Sequence, residues 1–182
     1  MNFSVWMRAL KAEDAGMVNK LRSDPDMENL VVGDKRFVSL AREVKWVSEI
    51  SMSDNNNPIY MAICEKSRME AVGYTSISDV DYRNGSCFWS GIKICPASSG
   101  RGLGFQAELL VLKYAFEELK MKRVSAKALE RHEYAIRYMQ KAGFRKEGLM
   151  RKCVFKNGEY QNIWMLSILE EEYKELRDKY GL

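Results

Sequence analysis

The sequence predicts a single α/β (α+β) domain in which helices pack against a mixed, mostly antiparallel sheet. Short segments of alternating apolar and polar residues, bounded by turn residues, indicate strands. Segments with an apolar residue every three or four positions indicate helices between them. Strand patterns over 59–94 predict an antiparallel meander, and around residues 87–142 the order is strand, glycine loop, helix, strand and helix. A length of 182 residues suits one domain over 1–182.

The N-terminal part of the chain alternates between strand and helix patterns. It predicts, in order, a strand over 3–10, a helix over 11–24, an irregular segment over 25–38, a helix over 39–53 and a turn over 54–58. We expect Asp14 to cap the first of these helices. The apolar face predicted for the second helix contains Leu40, Val44, Val47 and Ile50.

The middle of the chain predicts an antiparallel meander joined by short polar turns. Its three strands are expected over 59–66, 71–81 and 87–94. The helix that follows the glycine loop is predicted to bury one apolar face, formed by Phe105, Leu109, Leu112, Phe116 and Leu119.

The C-terminal part predicts another strand and helix, a hairpin and a final helix. The strand is expected over 122–130 and the helix over 133–142, where Gly143 ends it. An Asn-Gly turn joins the predicted hairpin strands 144–155 and 160–169. The charged segment 170–182 predicts a surface helix.

Cysteine usage and hydropathy indicate a cytoplasmic protein. The four cysteines, Cys64, Cys87, Cys95 and Cys153, have no C-x-x-C spacing and are expected to be small buried side chains in a reducing compartment. No apolar run approaches the roughly 20 residues of a membrane span. The N-terminus lacks the charged-then-apolar pattern of a secretory signal. We therefore expect no membrane partner.

Charge and histidine content exclude further classes of protein. The net charge of +4 comes without a dense basic stripe, so no nucleic-acid partner is expected. His132 is the single histidine in the sequence, which excludes a multi-histidine metal centre. We expect no metal cofactor. The mild positive charge is compatible with a small anionic ligand.

The stretch "PASSGRGLGFQAELL" over 96–110 predicts a phosphate site. It places Gly100, Gly102 and Gly104 at alternate positions between a strand and a helix, beside Arg101. The free amides and positive dipole end of a helix N-terminus bind anions, and glycines let phosphate oxygens approach those amides. A Walker loop needs G-x-x-x-x-G-K-[ST], which is absent from the sequence. A dinucleotide fingerprint needs a different last spacing and an acidic residue where Lys122 and Arg123 fall.

The chain resembles the GNAT N-acetyltransferases, whose pyrophosphate loop is commonly written [Q/R]-x-x-G-x-[G/A]. The branch it resembles contains spermidine, ribosomal-protein N-terminal and amino-sugar acetyltransferases. The resemblance rests on "IKICPASSGRGLGFQAELLVLKYAFEEL" and on "ERHEYAIRYMQKAGFRKEGLMRKCVFKNGEYQNIWMLSIL", which includes the Gly143-Phe144 pair. It is specific over roughly 71–170 and only topological over the first 60 residues, where family members choose their substrates.

The resemblance implies a GNAT-like sheet whose fourth and fifth strands splay apart, with acetyl-CoA entering the gap. Carried over by position, the loop backbone would bind the pyrophosphate through Ser99, Gly100, Arg101, Gly102, Leu103 and Gly104. Ile92, Lys93 and Ile94 would pair with the pantetheine amides, and Gly91 would mark a bulge where the strands diverge. Homodimers are frequent in the family, so a homodimer is a further expectation.

Three positions depart from the family pattern. Ser99 stands where the loop motif opens with Gln or Arg, and His132 stands where the second signature begins with Asn. Met139 occupies the position of a tyrosine, with Tyr138 one place earlier. The resemblance places His132 and Met139 beside the cofactor.

Acetyl transfer to a primary amine by direct attack in a ternary complex needs a base and a proton for the leaving thiolate. We expect Glu130 or His132 to serve as base. The alternative for Glu130 is an ordinary surface charge, and the alternative for His132 is a residue at the helix start that contacts the backbone or the cofactor. Tyr138 is a candidate acid, although residues 132, 135 and 139 share the predicted helix face and 138 lies about 100° away. Packing in the core is its alternative.

Two other functions stay open, and the acceptor is undetermined. A non-catalytic acyl-CoA-binding or sensor domain is favoured by Met139, and a phosphate-nucleotide-binding module is disfavoured by the glycine spacing. Polyamines, amino sugars and protein N-termini are the candidate acceptors. The carboxylates of Asp24, Asp26, Glu28 and Asp34 could attract a polyamine or a basic peptide, whereas the net charge suits amino-sugar nucleotides.

Overall fold

A seven-stranded sheet with the order β1-β2-β3-β4-β5-β7-β6 runs through the protein, confirming the mixed fold class. The computed structural model describes residues 2–53 and 57–182. The strands are β1 Val5–Ala9, β2 Ile59–Glu65, β3 Glu70–Asp81, β4 Ser86–Ile94, β5 Arg123–Leu129, β6 Arg145–Lys156 and β7 Glu159–Leu169. Neighbouring strands are antiparallel except β4 and β5, which are parallel because a helical crossover connects them.

Helices cover both faces of this sheet. They are α1 Ala15–Ser23, α2 Pro25–Leu30, α3 Leu40–Ser51, α4 Leu103–Lys113, α5 Glu133–Lys141 and α6 Glu170–Tyr180, and α4 continues into a π turn over Tyr114–Glu118. Side chains of α1 and α3 pack with Ala62, Cys64 and Tyr74 on one face. Side chains of α4, α5 and α6 pack on the other face with Met61 and Trp89. Because side chains alternate along a strand, neighbours such as Met61 and Ala62 serve opposite layers.

The strands β4 and β5 separate partway along their length, as the family resemblance implied. Their parallel pairing runs from Ser86 to Trp89 on β4 and ends opposite Ala126 on β5. Just beyond, β4 carries an extra residue relative to β3, and Gly91 there has φ +77°, a value that favours glycine. The carbonyl of Gly91 accepts a hydrogen bond of 2.7 Å from Thr75 Oγ1, which fixes the bulge.

Most predicted elements are confirmed to within a few residues, but the segment 25–38 is not wholly irregular. Its first part forms α2, because the side chain of Asp24 accepts hydrogen bonds from the amides of Asp26 and Met27 and Pro25 occupies the first helical position. Residues 31–39 follow without regular structure, in agreement with the prediction.

The apolar face predicted for α3 is wrong at two positions. Leu40 and Val44 are 53% and 43% exposed, whereas Val47 is buried. The buried partner on this helix is instead Glu43, which is 0% exposed and bonds Arg22 at 2.9 Å. A charged residue can occupy a helix face toward the core when an ion-pair partner lies opposite.

Two smaller expectations also need correction. Asp14 occupies the N-cap position of α1 but its side chain makes no cap hydrogen bond there; its carboxylate instead accepts from the amide of Lys11 and from Arg8, across the short 3-10 turn before the helix. The predicted turn over 54–58 lies mostly outside the described residues, which resume at Asn57. Cys64 and Cys87 are buried as expected, but Cys153 is exposed.

Candidate functional site

The glycine loop connects the end of β4 to the start of α4 in an unusual backbone conformation. Gly100 and Gly102 have φ of +77° and +73°, where L side chains are strained. Gly102 is the N-cap residue of α4 and offers no side chain to the first helical amides. Those amides have no partner within the helix, so they are available to an anion.

Open space lies in front of the loop. An added Cβ at Gly100 or Gly102 would meet nothing within 4 Å, and one at Gly104 would meet only Ile94 Cγ1 at 3.9 Å. Gly104 lies inside the helix without a positive φ, so neither strain nor crowding demands glycine there. Open space next to free amides is the geometry that a phosphate needs.

Arg101 has its charge paired within the protein. Its guanidinium donates to both carboxylate oxygens of Glu65 on β2, at 2.9 and 2.7 Å. These hydrogen bonds hold the pKa of the Glu65 carboxyl below its usual value. The side chain therefore ties the loop to the sheet, while the Arg101 backbone remains in the loop beside the exposed Ser99.

The outer part of β4 presents a free strand edge toward the gap. Ile92, Lys93 and Ile94 pair with β3 on one side, while the pairing with β5 has already ended. Ile92 and Ile94 pack toward the α4 layer. Lys93 points to the opposite face, where its ammonium lies 5.5 Å from the centroid of the Tyr74 ring. The edge of this strand that faces β5 is thus unpaired here, while the cationic side chain of Lys93 lies on the face of the sheet opposite α4.

Glu130 and His132 lie together in the loop after β5. Glu130 is exposed, and its carboxylate accepts a hydrogen bond of 2.8 Å from the Asn162 side chain on β7. His132 is the N-cap residue of α5 and is half-buried. Burial lowers the pKa of its imidazole, against an opposing hydrogen bond with the Leu30 backbone. The ring is therefore neutral at pH 7 and able to accept a proton.

Tyr138 lies elsewhere, in the contact between α5 and α4. Its ring packs edge-on against Phe105 at 5.7 Å and beside Tyr134 at 4.6 Å between centroids. The hydrogen bond with Tyr134, followed by burial, raises the pKa of Tyr138 to about 12. Met139 is only 6% exposed and belongs to the core under α5. The loop after β5 thus holds Glu130 and His132, while Tyr138 packs against α4.

A basic cavity adjoins Lys93 on the α1 and α3 side of the sheet. Two neighbouring hollows of about 410 and 610 Å³ form it. The charged side chains that line it are Arg22, Glu28, Asp34, Lys35, Arg36 and Lys93. This set could not be assembled from the sequence, because its members come from α1, α2, the following segment and β4.

The segment containing α2 is tied to the chain just beyond β5 and to the end of β6. Arg131 donates to the carbonyl of Asn29 at 2.6 Å. The buried ammonium of Lys156, at the end of β6, donates to the Glu28 carboxylate at 2.7 Å and to the Gly33 carbonyl at 3.0 Å. These contacts join the first half of the chain to the last hairpin.

Sequence reasoning missed one buried titratable group on α4. Glu108 on α4 is 2% exposed, and its Oε1 has no hydrogen-bond partner among the described residues. Burial raises the pKa of this carboxyl to about 8. The only signal in the sequence was its place in the stripe of Phe105 and Leu112, where a carboxylate breaks an apolar pattern.

Neither a membrane helix nor a metal cluster emerges from the described residues. No helix within 2–53 and 57–182 has the length and apolar character to cross a membrane. The same residues contain no group of three or more potential metal-ligating side chains.

Comparison with known proteins gives relatives along nearly the full chain. The probable N-acetyltransferase YjcK of Bacillus subtilis is 25% identical over 173 residues, which cover 93% of this chain and 96% of the relative. The spermidine N(1)-acetyltransferase of Escherichia coli K12 is 25% identical over 172 residues, covering 93% and 88%.

Solved structures show the same fold. A spermidine N-acetyltransferase from Vibrio cholerae, in complex with CoA and spermine, superposes with a TM-score of 0.85 at 20% identity and covers 94% of this chain and 98% of its own. A GCN5-related N-acetyltransferase from Brucella melitensis superposes at 0.81 with 22% identity, covering 100% and 82%. The family model of the acetyltransferase (GNAT) domain matches residues 4–145. This match spans well over half of the chain, and the protein belongs to the GNAT family as an acetyltransferase.

Proposed function

We propose that the protein moves the acetyl group of acetyl-CoA to a primary amine by direct attack within a ternary complex. The observation that carries the proposal is the position of the gap between β4 and β5. The glycine loop lies at one end of this gap, and the basic cavity adjoins the same strand on its other face. Two substrates could therefore meet at one strand edge, which supports direct transfer.

The residues present fit acetyl-CoA on the α4 side. The amides from Gly100 to Gly104 would hold the pyrophosphate, and the main chain of Ile92, Lys93 and Ile94 would pair with the pantetheine amides. The family resemblance implies that acetyl-CoA would also be bound by Ser99, His132 and Met139. Acetyl-CoA supplies a thioester with a CoA thiolate as leaving group. Orientation along a fixed strand edge provides much of the acceleration that two bound substrates require.

The remaining chemistry is proton transfer around the amine. The acceptor amine must be neutral to attack, so a group in the cleft has to take its proton. His132 is the better-supported base because burial keeps its imidazole neutral at pH 7. Glu130 is the alternative, although its carboxylate is engaged by Asn162. As the new C–N bond forms, the C–S bond breaks and a backbone amide near the bulge can stabilise the oxyanion.

The proton for the thiolate is assigned to water. Tyr138 keeps its proton at all physiological pH values, but a pKa of about 12 makes it a poor donor near pH 7. Met139 has no proton to give. An ordinary thiol has a pKa of about 8.5, so the thiolate is a tolerable leaving group without a dedicated acid.

A non-catalytic acyl-CoA-binding domain is the second candidate, and the buried thioether of Met139 is the observation that favours it. We place the protein in the cytoplasm, supported by four cysteines that are free thiols in the described residues. A homodimer stays a prediction.

The decisive experiment measures thiol release from acetyl-CoA with polyamines, amino sugars, amino acids and N-terminal peptides as acceptors. Turnover with any of these amines, together with mass spectrometry of the acetylated product, supports the proposal. Tight acetyl-CoA binding without turnover across the panel would favour the non-catalytic function.

A further inference from the structure

The basic cavity carries more positive than negative charge. Lys35, Arg36, Arg22 and Lys93 line it, against the two carboxylates of Glu28 and Asp34. No carboxylate lies within 4 Å of the Lys93 ammonium in the described part of the chain. Its contact is the face of the Tyr74 ring.

Arg22 is fixed in place and keeps donors for a ligand. Its Nη1 bonds the buried Glu43 at 2.9 Å, and its Nε bonds the Tyr74 hydroxyl at 3.3 Å. The guanidinium carbon lies 4.0 Å from the centroid of the Trp46 ring. Among the described residues Nη2 makes no hydrogen bond, so this arginine can present a rigid donor to the cavity it lines.

Two of the carboxylates near the cavity are already engaged by strong partners. Glu28 is paired with the buried Lys156 at 2.7 Å. Asp24 caps α2 through its side chain. Asp34 lies 3.8 Å from Arg36 at an exposed position, where water and salt screen the pair. Among the described residues Asp34 is thus the one cavity-lining carboxylate without a buried partner, set against four cationic side chains, and Asp26 does not line the cavity.

We infer that the acceptor is a primary amine that also carries an anionic group, a carboxylate or a phosphate, and that it is not a polyamine. This inference rests on the proposed function, since it assigns the basic cavity as the acceptor site. A fixed arginine and an unpaired lysine complement a carboxylate or phosphate. A polyamine would bring two or more positive charges beside four cationic side chains, with only the exposed Asp34 carboxylate to receive them.

The test compares acceptors that differ only in the anionic group. Glucosamine 6-phosphate is paired with glucosamine, leucine is paired with leucinamide, and spermidine is the polyamine. Each is titrated calorimetrically into the protein saturated with CoA and assayed for thiol release with acetyl-CoA. We expect the anionic member of at least one pair to bind at least tenfold more tightly than its neutral partner, with spermidine the weakest. The pair that shows the preference tells a phosphate acceptor from a carboxylate acceptor.

Lys93→Met tests the site directly. We expect it to raise the KM of the preferred anionic amine at least tenfold and to leave the KM of acetyl-CoA within twofold, whereas Lys93→Arg should retain the preference. Lys179→Met on α6 is the matched control, because its ammonium also lies over a tyrosine ring, at 5.4 Å. A merely structural role for Lys93 would lower both affinities or reduce the folded fraction seen by circular dichroism.

The outcomes distinguish the inferred class of acceptor from the proposed acetyl transfer. Tightest binding by spermidine, or equal binding within both matched pairs, overturns the inference whether or not turnover occurs. Absence of thiol release from a protein that binds the anionic amine leaves the inference standing and contradicts the proposed acetyl transfer.

Discussion

Glu108 shows how one residue can make the stability of the protein depend on pH. The carboxyl is buried in α4, where its pKa is about 8, against a usual value of about 4.3 in the unfolded chain. Between these values the folded protein keeps a proton that the unfolded chain has released. The contribution of Glu108 to the free energy of unfolding is therefore largest below the pKa of the unfolded chain. It falls as the pH rises toward 8, by roughly 1.4 kcal/mol per pH unit.

Replacing Glu108 with Gln should remove this dependence. The amide cannot ionise, so the free energy of unfolding should vary less between pH 5 and 8, with a relative gain at pH 8. Urea denaturation across this range measures the difference. Glu175→Gln, at an exposed position of α6, is the control and should leave the slope unchanged. Parallel curves for Glu108→Gln and the unaltered protein would mean that Glu108 does not hold its proton in the fold.

Substitutions at Tyr138 and Met139 test which group protonates the CoA thiolate. Since water is assigned as the proton donor, Tyr138→Phe should lower kcat less than tenfold, and Met139→Tyr should keep or raise it. Steady-state kinetics with saturating acetyl-CoA provide the measurement. A hundredfold loss in Tyr138→Phe with unchanged CoA affinity would identify Tyr138 as the acid, since general acid catalysis is typically worth 10²–10⁴-fold.

The sequence could not predict which charged side chains pair with each other in the fold. Arg101 was predicted to lie in a phosphate loop, but its guanidinium pairs with Glu65, which lies within hydrogen-bonding distance only because β2 and the glycine loop meet in the fold. The interaction of Arg22 with Glu43 likewise joins residues on different helices, 21 positions apart in the sequence. Such pairs depend on tertiary neighbours, which periodicity and spacing do not contain.

The start of α4 offers a direct test of the anion site. Gly104→Val should lower CoA affinity at least tenfold, which is about 1.4 kcal/mol, because the new side chain fills the space beside the free amides. Isothermal titration with CoA is the measurement. Gly148→Val on β6 is the matched control, because a Cβ there meets nothing within 4 Å and one at Gly104 meets only Ile94 Cγ1, at 3.9 Å. Unchanged affinity in folded Gly104→Val protein would remove the loop from the cofactor site.

Helices and strands with strong periodicity were predictable, and the weaker ones were not. The buried stripe of α4 and the Asn-Gly hairpin follow from local spacing and turn chemistry. The helix α2 has only six residues, none of them buried, so it has no apolar period to detect. Its cap at Asp24, followed by Pro25, was the available signal. The face of α3 was misassigned because an ion pair from α1 decides which side is buried.

Ligand binding should stabilise the folded protein selectively. A ligand that binds only the native state adds about 2.7 kcal/mol at a hundred times its Kd. Thermal-shift measurements should therefore show a rise in Tm with acetyl-CoA and CoA that exceeds the rise with equal concentrations of ATP or NAD. An equal response to ATP would indicate a general phosphate site instead.

Much of the candidate cofactor side followed from the sequence, whereas the acceptor side did not. Positive φ at Gly100 and Gly102 is a local property that glycine spacing reveals. The basic cavity is assembled from segments between Arg22 and Lys93 that no motif connects. The acidic residues of this region suggested a polyamine until their partners in the fold were known.

The separation of β4 from β5 has a kinetic consequence. The glycine loop and the basic cavity open on different faces of the sheet, so under the proposed function each substrate has its own entrance, and so does each product. CoA should then leave without waiting for the acetylated amine. Product inhibition should follow the same division: CoA competes with acetyl-CoA but not with the amine, while the acetylated product competes with the amine but not with acetyl-CoA. A strictly ordered release pattern would mean that the two entrances are not independent.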